Sequence, residues 1–380
     1  MNTHILSLEG TVRARTPQDT WNALSPLLAN FGITRVARLT GLDCLGWPVW
    51  TAIRPAAQTL AATQGKGATD LLAKISAVME SIELWHAEQP PRIATRAPAA
   101  HLDLPYPLGA LPLHHQHPEL ARVEVDWVTC TGLLTGQAHL LPAGLIHRSA
   151  ARRVWEPDLW HTTSTGLACG NTRDEAILHA LFEVIERDVL ADSDPGQAAG
   201  RLLIHPATVD DHHCRRLLDS LHQAGMEVEI STIDGAYGLP VCLAFLWSED
   251  FPLWFAGSGC HTTASIALSR ALSEAMQSRL TCIAGTRDDL PSQEEVFTAA
   301  PQPRPAPTPG PRHAWNTVMH DAPPPQGGFA AQVTAVARRV EKTTGHQPLV
   351  ADLSDPAAPI AAVKVVCPGT RSRITRAVPR

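Results

Sequence analysis

The stretch HALFEVIERD, residues 179–188, places Glu183, Glu186 and the pair Arg187–Asp188 within a run that also carries Leu181, Phe182, Val184 and Ile185. With Val189 and Leu190 the apolar side chains wrap more than one face, and a helix apolar on most sides is normally buried. Carboxylates in such a helix are costly unless they are paired or set on a metal. The same spacing recurs on either side. Residues 77–83 read AVMESIE, 180–186 read ALFEVIE and 271–277 read ALSEAMQ, each an A-x-x-E-x-x-[E/Q]. Each copy follows a turn of small residues: QGKGATD, TGLACGNT and GSGCHTT.

Glutamates three apart lie on one helix face, about 60° apart around the axis. Ser76, Glu80 and Glu83 form an i, i+4, i+7 stripe, as do Arg270, Glu274 and Gln277. Glu175 and Glu186 face nearly the same way but stand roughly 16 Å apart along the axis. One ion cannot bridge that distance, whereas a row of ions or a metal-bound triphosphate can occupy it. Mg2+ takes carboxylate oxygens together with substrate phosphates, so several helices offering Glu to one cleft suit ATP·Mg. Lys66, in the turn QGKGAT, supplies a point charge for phosphate, although this is not a Walker A loop because G-x-x-x-x-G-K-[ST] is missing. Plainer readings stay open at this level. Thr172 and Glu175 have the T-x-x-E order of a capping box; Glu186, Arg187 and Asp188 fit a charged surface; Glu83 fits solvent beside His86 and Glu88.

The elements that must carry these residues alternate between helices and runs of strands. A first helix is expected over 18–30, started by Thr16 or Asp19 with Pro17 early in it. ITRVARLTGLDCLGWPVWTAIRP reads as strands about a turn, and residues 89–120 as a proline-rich extended excursion. RVEVDWVTCTGLL and QAHLLPAGLIH read as paired strands. The HALFEVIERD helix is expected over about 172–190 and another over 211–224. Strands EVEISTID, PVCLAFLW and LWFAGSGC follow, then a helix over about 263–283. AAPQPRPAPTPGPRHAW reads as linker, within a proline-rich excursion near 299–326, and the tail as helix, strand, strand. Strands arriving in twos and threes between helices predict a mixed α+β architecture, and the length predicts one large domain or two intimately joined lobes.

Composition narrows the classes. A net charge of −6 gives no basic footprint and argues against nucleic acid as partner. The start, MNTHILSLEGTVRARTPQDT, lacks signal-peptide order, and no apolar stretch reaches the roughly 20 residues of a spanning helix, so no membrane role is expected. Eight cysteines without a CxxC pair suit reduced thiols and a cytoplasmic location. No HExxH or finger spacing supports zinc.

These residues resemble the YcaO family of ATP-dependent enzymes. The resemblance rests on S-x-x-x-E-x-x-E (Ser76, Glu80, Glu83), on N-x-x-x-E followed by E-x-x-E-R (Asn171, Glu175, Glu183, Glu186, Arg187), on E-x-x-Q (Glu274, Gln277) and on the GKGAT turn, and runs from about residue 10 to the C-terminus. It implies a single YcaO domain over 1–380, a YcaO-like α+β fold of mixed and antiparallel sheets packed with helices, with the repeated helix motifs around an ATP cleft. Glu80, Glu83, Glu175, Glu183 and Glu186 are then Mg2+ ligands, and Asn171, Arg187 and Gln277 hold the nucleotide with Lys66 and Ser76. RARTPQDT resembles the segment that supplies a basic residue and a hydroxyl, here Arg13 (with Arg15 equally close) and Thr20. Arg287, in GTRDD, belongs to the site or to a charged helix exit. No catalytic nucleophile is implied. The resemblance implies phosphorylation of a peptide amide oxygen, after which a side chain yields an azoline, sulfide a thioamide, or an amine a macroamidine. The C-terminal stretch CPGTRSRITRAVPR lacks the PxPxP of cyclodehydratase members, while GLDCLGWPVW, LSEAMQSRLTCIAGTRDD and VKVVCPG look most like members paired with a TfuA-type protein. Thr370 and Arg371 replace the usual Leu-Glu after the final Pro-Gly. Thioamide formation on a ribosomally made peptide or protein is therefore expected, with a TfuA-like protein and a second copy of the chain as further partners. Two other classes compete: a catalytically silent scaffold that binds a precursor peptide, and an acid-rich metallohydrolase.

Overall fold

The computed structural model describes residues 5–148, 157–191, 200–287, 289–290, 296, 304, 306–322 and 327–371. The chain opens with a hairpin, β1 (Leu6–Leu8) and β2 (Thr11–Arg13), and then α1 (Pro17–Leu24). Thr16 caps α1 by accepting from Asp19 N. The helix expected to run to residue 30 gives way to a 3-10 segment, Ser25–Phe31. Pro26 is the cause, since it has no N–H to return to the carbonyl four residues back.

A three-stranded antiparallel sheet follows, β3 (Arg35–Arg38), β4 (Val49–Ile53) and β5 (Ala62–Lys66), leading into α2 (Asp70–Glu88). The excursion at 89–120 contains a strand, β6 (Ile93–Pro98), which pairs with β7 (Glu124–Gly132); proline closes it at its last residue. β7 also pairs with β8 (Ala138–Pro142), which runs into the short helix α3 (Ala143–Ile146). Next come β9 (Leu167–Gly170) and α4 (Arg173–Ala191), the helix of HALFEVIERD. β10 (Arg201–Ile204), α5 (His212–Gln223), β11 (Glu227–Ile233), β12 (Val241–Trp247), β13 (Phe255–Cys260) and α6 (Ala264–Ala284) form the next layer pair.

Of the proline-rich excursion, residues 299–303, 305 and 323–326 lie outside the described residues. The part read as pure linker differs from that expectation at its end: β14 (Arg312–His313) adds in parallel to β10, and α7 (Trp315–Val318) buries Trp315 against the α5 and α6 core. The tail forms α8 (Gly328–Thr344), β15 (Leu349–Asp352) and β16 (Ala361–Val366), and residues beyond 371 lie outside the described ones.

Two larger sheets result. One is ordered β13-β12-β11-β10-β14, the other β6-β7-β15-β16-β9 with β8 on β7. α4 is the central element: Ile177, Ala180, Leu181, Ile185 and Phe182 are buried with residues of α8 and β16. The repeat now has a physical meaning. Each copy is a strand that turns directly into a helix lying on it: β5 into α2, β9 into α4, β13 into α6. The repeated alanines Ala77, Ala180 and Ala271 are fully buried. A Cβ on Gly65 would stand 1.9 Å from Ala77 N, and one on Gly257 would stand 2.1 Å from Ala271 O. Backbone therefore touches backbone, which brings the glutamates three residues further along each helix to the same depth.

Candidate functional site

Helices α2, α4 and α6 and the β1–β2 hairpin enclose a cleft of about 640 Å³. All thirteen candidates line it: Arg13, Thr20, Lys66, Ser76, Asn171, Arg187, Gln277 and Arg287, with Glu80, Glu83, Glu175, Glu183 and Glu186. Lys66 is not on a loose turn. It is the last residue of β5, opposite Val49, and the small residues before it serve the strand-on-helix contact.

Main-chain amides orient four acids. Ala14 N donates to Glu175 Oε2 (3.0 Å), Cys169 N to Glu83 Oε1 (2.8 Å), Gly166 N to Glu183 Oε2 (3.2 Å) and Ser258 N to Glu274 Oε2 (2.9 Å). Glu175 N does donate to Thr172 Oγ1 (3.2 Å), as a cap requires, but its carboxylate faces the cleft and accepts from Asn171 Nδ2 at 3.1 Å. Arg13 Nε is 3.7 Å from it. Asn171 in turn accepts from Thr20 Oγ1 at 2.8 Å, so α1, the hairpin and α4 meet through one buried chain of hydrogen bonds. Glu186 accepts from Ser258 Oγ at 2.5 Å. Glu83 is not a solvated neighbour of Glu88, which instead makes a buried pair with Arg54.

On the opposite wall Lys66 Nζ donates to Gln277 Oε1 (2.9 Å), and Gln277 Nε2 to Gln64 O (2.9 Å), tying β5 to α6. Arg187 lies 3.8 Å from Glu183, and Arg287 makes a two-point contact with Asp289 at 2.6 Å.

The electrostatics fit a cation that is rich in charge and bound to oxygen. Burial pushes Glu80, Glu83 and Glu183 above the usual carboxylate range, and repulsion among the acids adds to it; Arg287 and Lys66 only partly offset this at Glu80. Burial works against the Arg187 charge, but Glu186, Glu274 and Glu183 outweigh it and hold the guanidinium more firmly protonated. A row of carboxylates that resist sharing negative charge is a hard-oxygen donor set short of positive charge. Among the described residues no three His, Cys, Asp or Glu side chains converge as a self-sufficient single-ion site would. Such a row suits ions whose shells are completed by phosphate oxygens, and Lys66, Arg187 and Arg287 line the same cleft.

Sequence reasoning left several lining residues unassigned. Glu274 occupies the register of Glu80 and Glu183, and Arg270 that of Ser76 and His179; the repeat placed Arg270 and Glu274 on one stripe but gave them no role. Arg270 is pulled down to about 10 by burial and by Arg13 beside it, which marks that end of the cleft as rich in cations. Ser258, inside the edge strand β13, carries no periodic signal. Lys364 is also unforeseen. This buried residue of β16 donates to Thr163 O (2.7 Å) and Thr165 O (2.8 Å), fastening the turn whose Gly166 amide reaches Glu183.

The model of the family described as YcaO cyclodehydratase, ATP- and Mg2+-binding, matches residues 64–371. The chain belongs to the YcaO family. An uncharacterized protein of Mycobacterium tuberculosis is 38% identical over 384 residues, covering 97% of this chain and 84% of the relative. An uncharacterized protein in the tfuA 3′ region of Rhizobium leguminosarum bv. trifolii is 32% identical over 390 residues, covering 94% and 88%. Among solved structures, YcaO from Methanopyrus kandleri bound with AMPPCP and Mg2+ matches with a TM-score of 0.74 at 21% identity, covering 98% of this chain and 96% of that one. A heterocyclase in complex with substrate and cofactor matches with a TM-score of 0.75 at 18% identity; this chain spans 55% of its length. The α+β expectation and the YcaO-like fold are thus met, with both antiparallel and mixed sheets present. No helix among the described residues is long and apolar enough to cross a membrane.

Proposed function

We propose that this YcaO protein uses ATP and Mg2+ to activate a peptide backbone amide by O-phosphorylation, and that the product is a thioamide on a ribosomally made peptide or protein. The observation that carries the activation step is the row Glu80, Glu83, Glu175, Glu183, Glu186 and Glu274 on three helices of one cleft, flanked by Lys66, Arg187, Arg270 and Arg287. ATP·Mg supplies a phosphoryl group that converts an amide oxygen, a very poor leaving group, into a good one. The chain's own part is to hold charge and position. The acids hold the divalent ions, and Lys66, Arg187 and Arg287 neutralise phosphate oxygens. Thr20 and Asn171 fix the nucleotide beside Arg13, while the apolar faces of α4 keep the helix rigid. Such a site needs no side-chain nucleophile, because orientation and electrostatics supply the rate.

The thioamide outcome is supported by the relative in the tfuA 3′ region, and a TfuA-like protein is the partner we propose for delivery of sulfur. The family description as cyclodehydratase favours azoline formation as the second reading. Peptide mass decides between them: exchange of oxygen for sulfur raises it, and loss of water lowers it. Glu183→Ala tests the activation step, with expected loss of peptide-dependent ATP turnover in a protein that still unfolds cooperatively. Full turnover in that variant removes the metal role. Failure of the wild type to bind ATP·Mg in a titration, with or without partner, favours the silent scaffold.

A further inference from the structure

Beside the acid row the cleft has a stretch of wall of different character, a compartment lined by leucines and one arginine. Leu60, Leu84 and Leu167 line it and pack as one apolar cluster with Ala87. Arg148 also lines it, its backbone N bonded to Ala87 O at 2.7 Å, which fixes the residue beside that cluster. Arg148 Nε is buried and has no hydrogen-bond partner among the described residues. Ser164, whose carbonyl accepts from Leu167 N at 2.8 Å, completes the wall.

A guanidinium against aliphatic walls is short of an anion. Burial lowers the Arg148 pKa, and Glu88, the acid that acts on its charge, is already committed to Arg54, Thr59 N and Thr59 Oγ1. Lys364 stands close enough to feel the Arg148 charge but supplies no anion to it. Arg13 and Arg270 are occupied elsewhere in the cleft, beside Glu175 and Glu186. The compartment adjoins the acid row through consecutive residues of α2, Glu83 and Leu84, so a group held here lies next to the phosphoryl-transfer region.

We propose that this compartment binds the peptide substrate and selects an aliphatic side chain next to a carboxylate, the first against Leu60, Leu84 and Leu167 and the second on Arg148. The proposal rests on the reading of the cleft as a peptide-modifying YcaO site and names its substrate class. A carboxylate comes either from an acidic side chain or from a peptide C-terminus; both offer the same oxygens to Arg148 Nε and Nη.

The test is fluorescence anisotropy of the full chain with dye-labelled pentapeptides. Three are amidated and centred on Leu-Asp, Leu-Asn or Leu-Lys. Two end in leucine, one as free acid and one as amide. The expected result is that Leu-Asp, or the free-acid peptide over its amide, binds about tenfold tighter or more than its neutral counterpart. Arg148→Glu should shift the preference to Leu-Lys, and Arg148→Gln should flatten it. Equal affinities across the set, absence of binding, or an acidic preference retained in both variants would overturn the proposal. Calorimetry of the wild type with AMPPCP·Mg separates the two readings. Nucleotide binding without acidic preference removes only the subsite. Acidic preference sensitive to Arg148, without nucleotide binding, removes only the ATP-dependent reading.

Discussion

Glu83 offers the cleanest way to test whether the acid row is assembled against its own electrostatic preference. Its carboxyl pKa is raised well above the ordinary value, first by burial and then by Glu80 and Glu183, although Cys169 N donates to it. A carboxyl with a raised folded pKa favours folding below the unfolded value of 4.5, and that contribution is lost as pH climbs through the folded value. Without a cation the wild type is therefore destabilised by this group at pH 8. Glu83→Gln keeps the shape and the oxygen that accepts from Cys169 and removes only the charge. The gain expected at pH 8 is about 1–3 kcal/mol, the size of one unfavourable buried interaction. At roughly 1–2 °C per kcal/mol for a chain of this size, the melting temperature should rise by about 1–6 °C. The gain should vanish toward pH 4.5, where Glu83 is protonated and nearly isosteric with Gln. Mg2+ with AMPPCP, which should stabilise the wild type, should stabilise the variant much less. A variant no more stable than wild type at pH 8, and equally responsive to AMPPCP·Mg, would refute the electrostatic account of the row.

Two further outcomes follow from the packing. Lys364, pulled down to about 7 by burial, gives the wild type stability that grows as pH rises from 7 toward the ordinary lysine value. Urea unfolding of Lys364→Met at pH 7 and 9.5 should lack that growth, and AMPPCP·Mg should bind several-fold more weakly because the turn at Gly166 loses its anchor; Lys364→Arg should restore part of the affinity. Gly65→Ala places a Cβ 1.9 Å from Ala77 N, a backbone atom that cannot step aside, and should cost at least about 3 kcal/mol by chemical denaturation.

The sequence made the helices legible because their apolar stripes and capping residues are local features: Thr16, Thr69 and Asp211 all cap as their types suggest. The acids were legible because the repeat sets them at fixed offsets from buried alanines. Strands β5 and β9 were not. ATQGK carries a single β-branched residue, Thr63, and LACG none, since a helix lies directly on them and leaves little room. Ser258, Arg148 and Lys364 were invisible for another reason. Each gains its meaning from a residue far away in the chain, such as Glu186 for Ser258 and Thr163 for Lys364. The proline-rich stretch near 312 misled because the parallel partner of β14 is β10, about a hundred residues earlier.

The four acids held by amide protons make the site unusually tolerant of drift. Ala14, Gly166, Cys169 and Ser258 orient Glu175, Glu183, Glu83 and Glu274 through groups that almost every amino acid possesses. Exchange of the side chain at Ala14, Cys169 or Ser258 leaves the donor intact, within the limits set by space, and only proline erases it; Gly166, with φ +80° and a Cβ position 2.2 Å from Val365 O, is tied to glycine. At those three places the side chain can change while the carboxylate keeps its aim, so the charge pattern of the cleft does not depend on which side chains its amide donors carry.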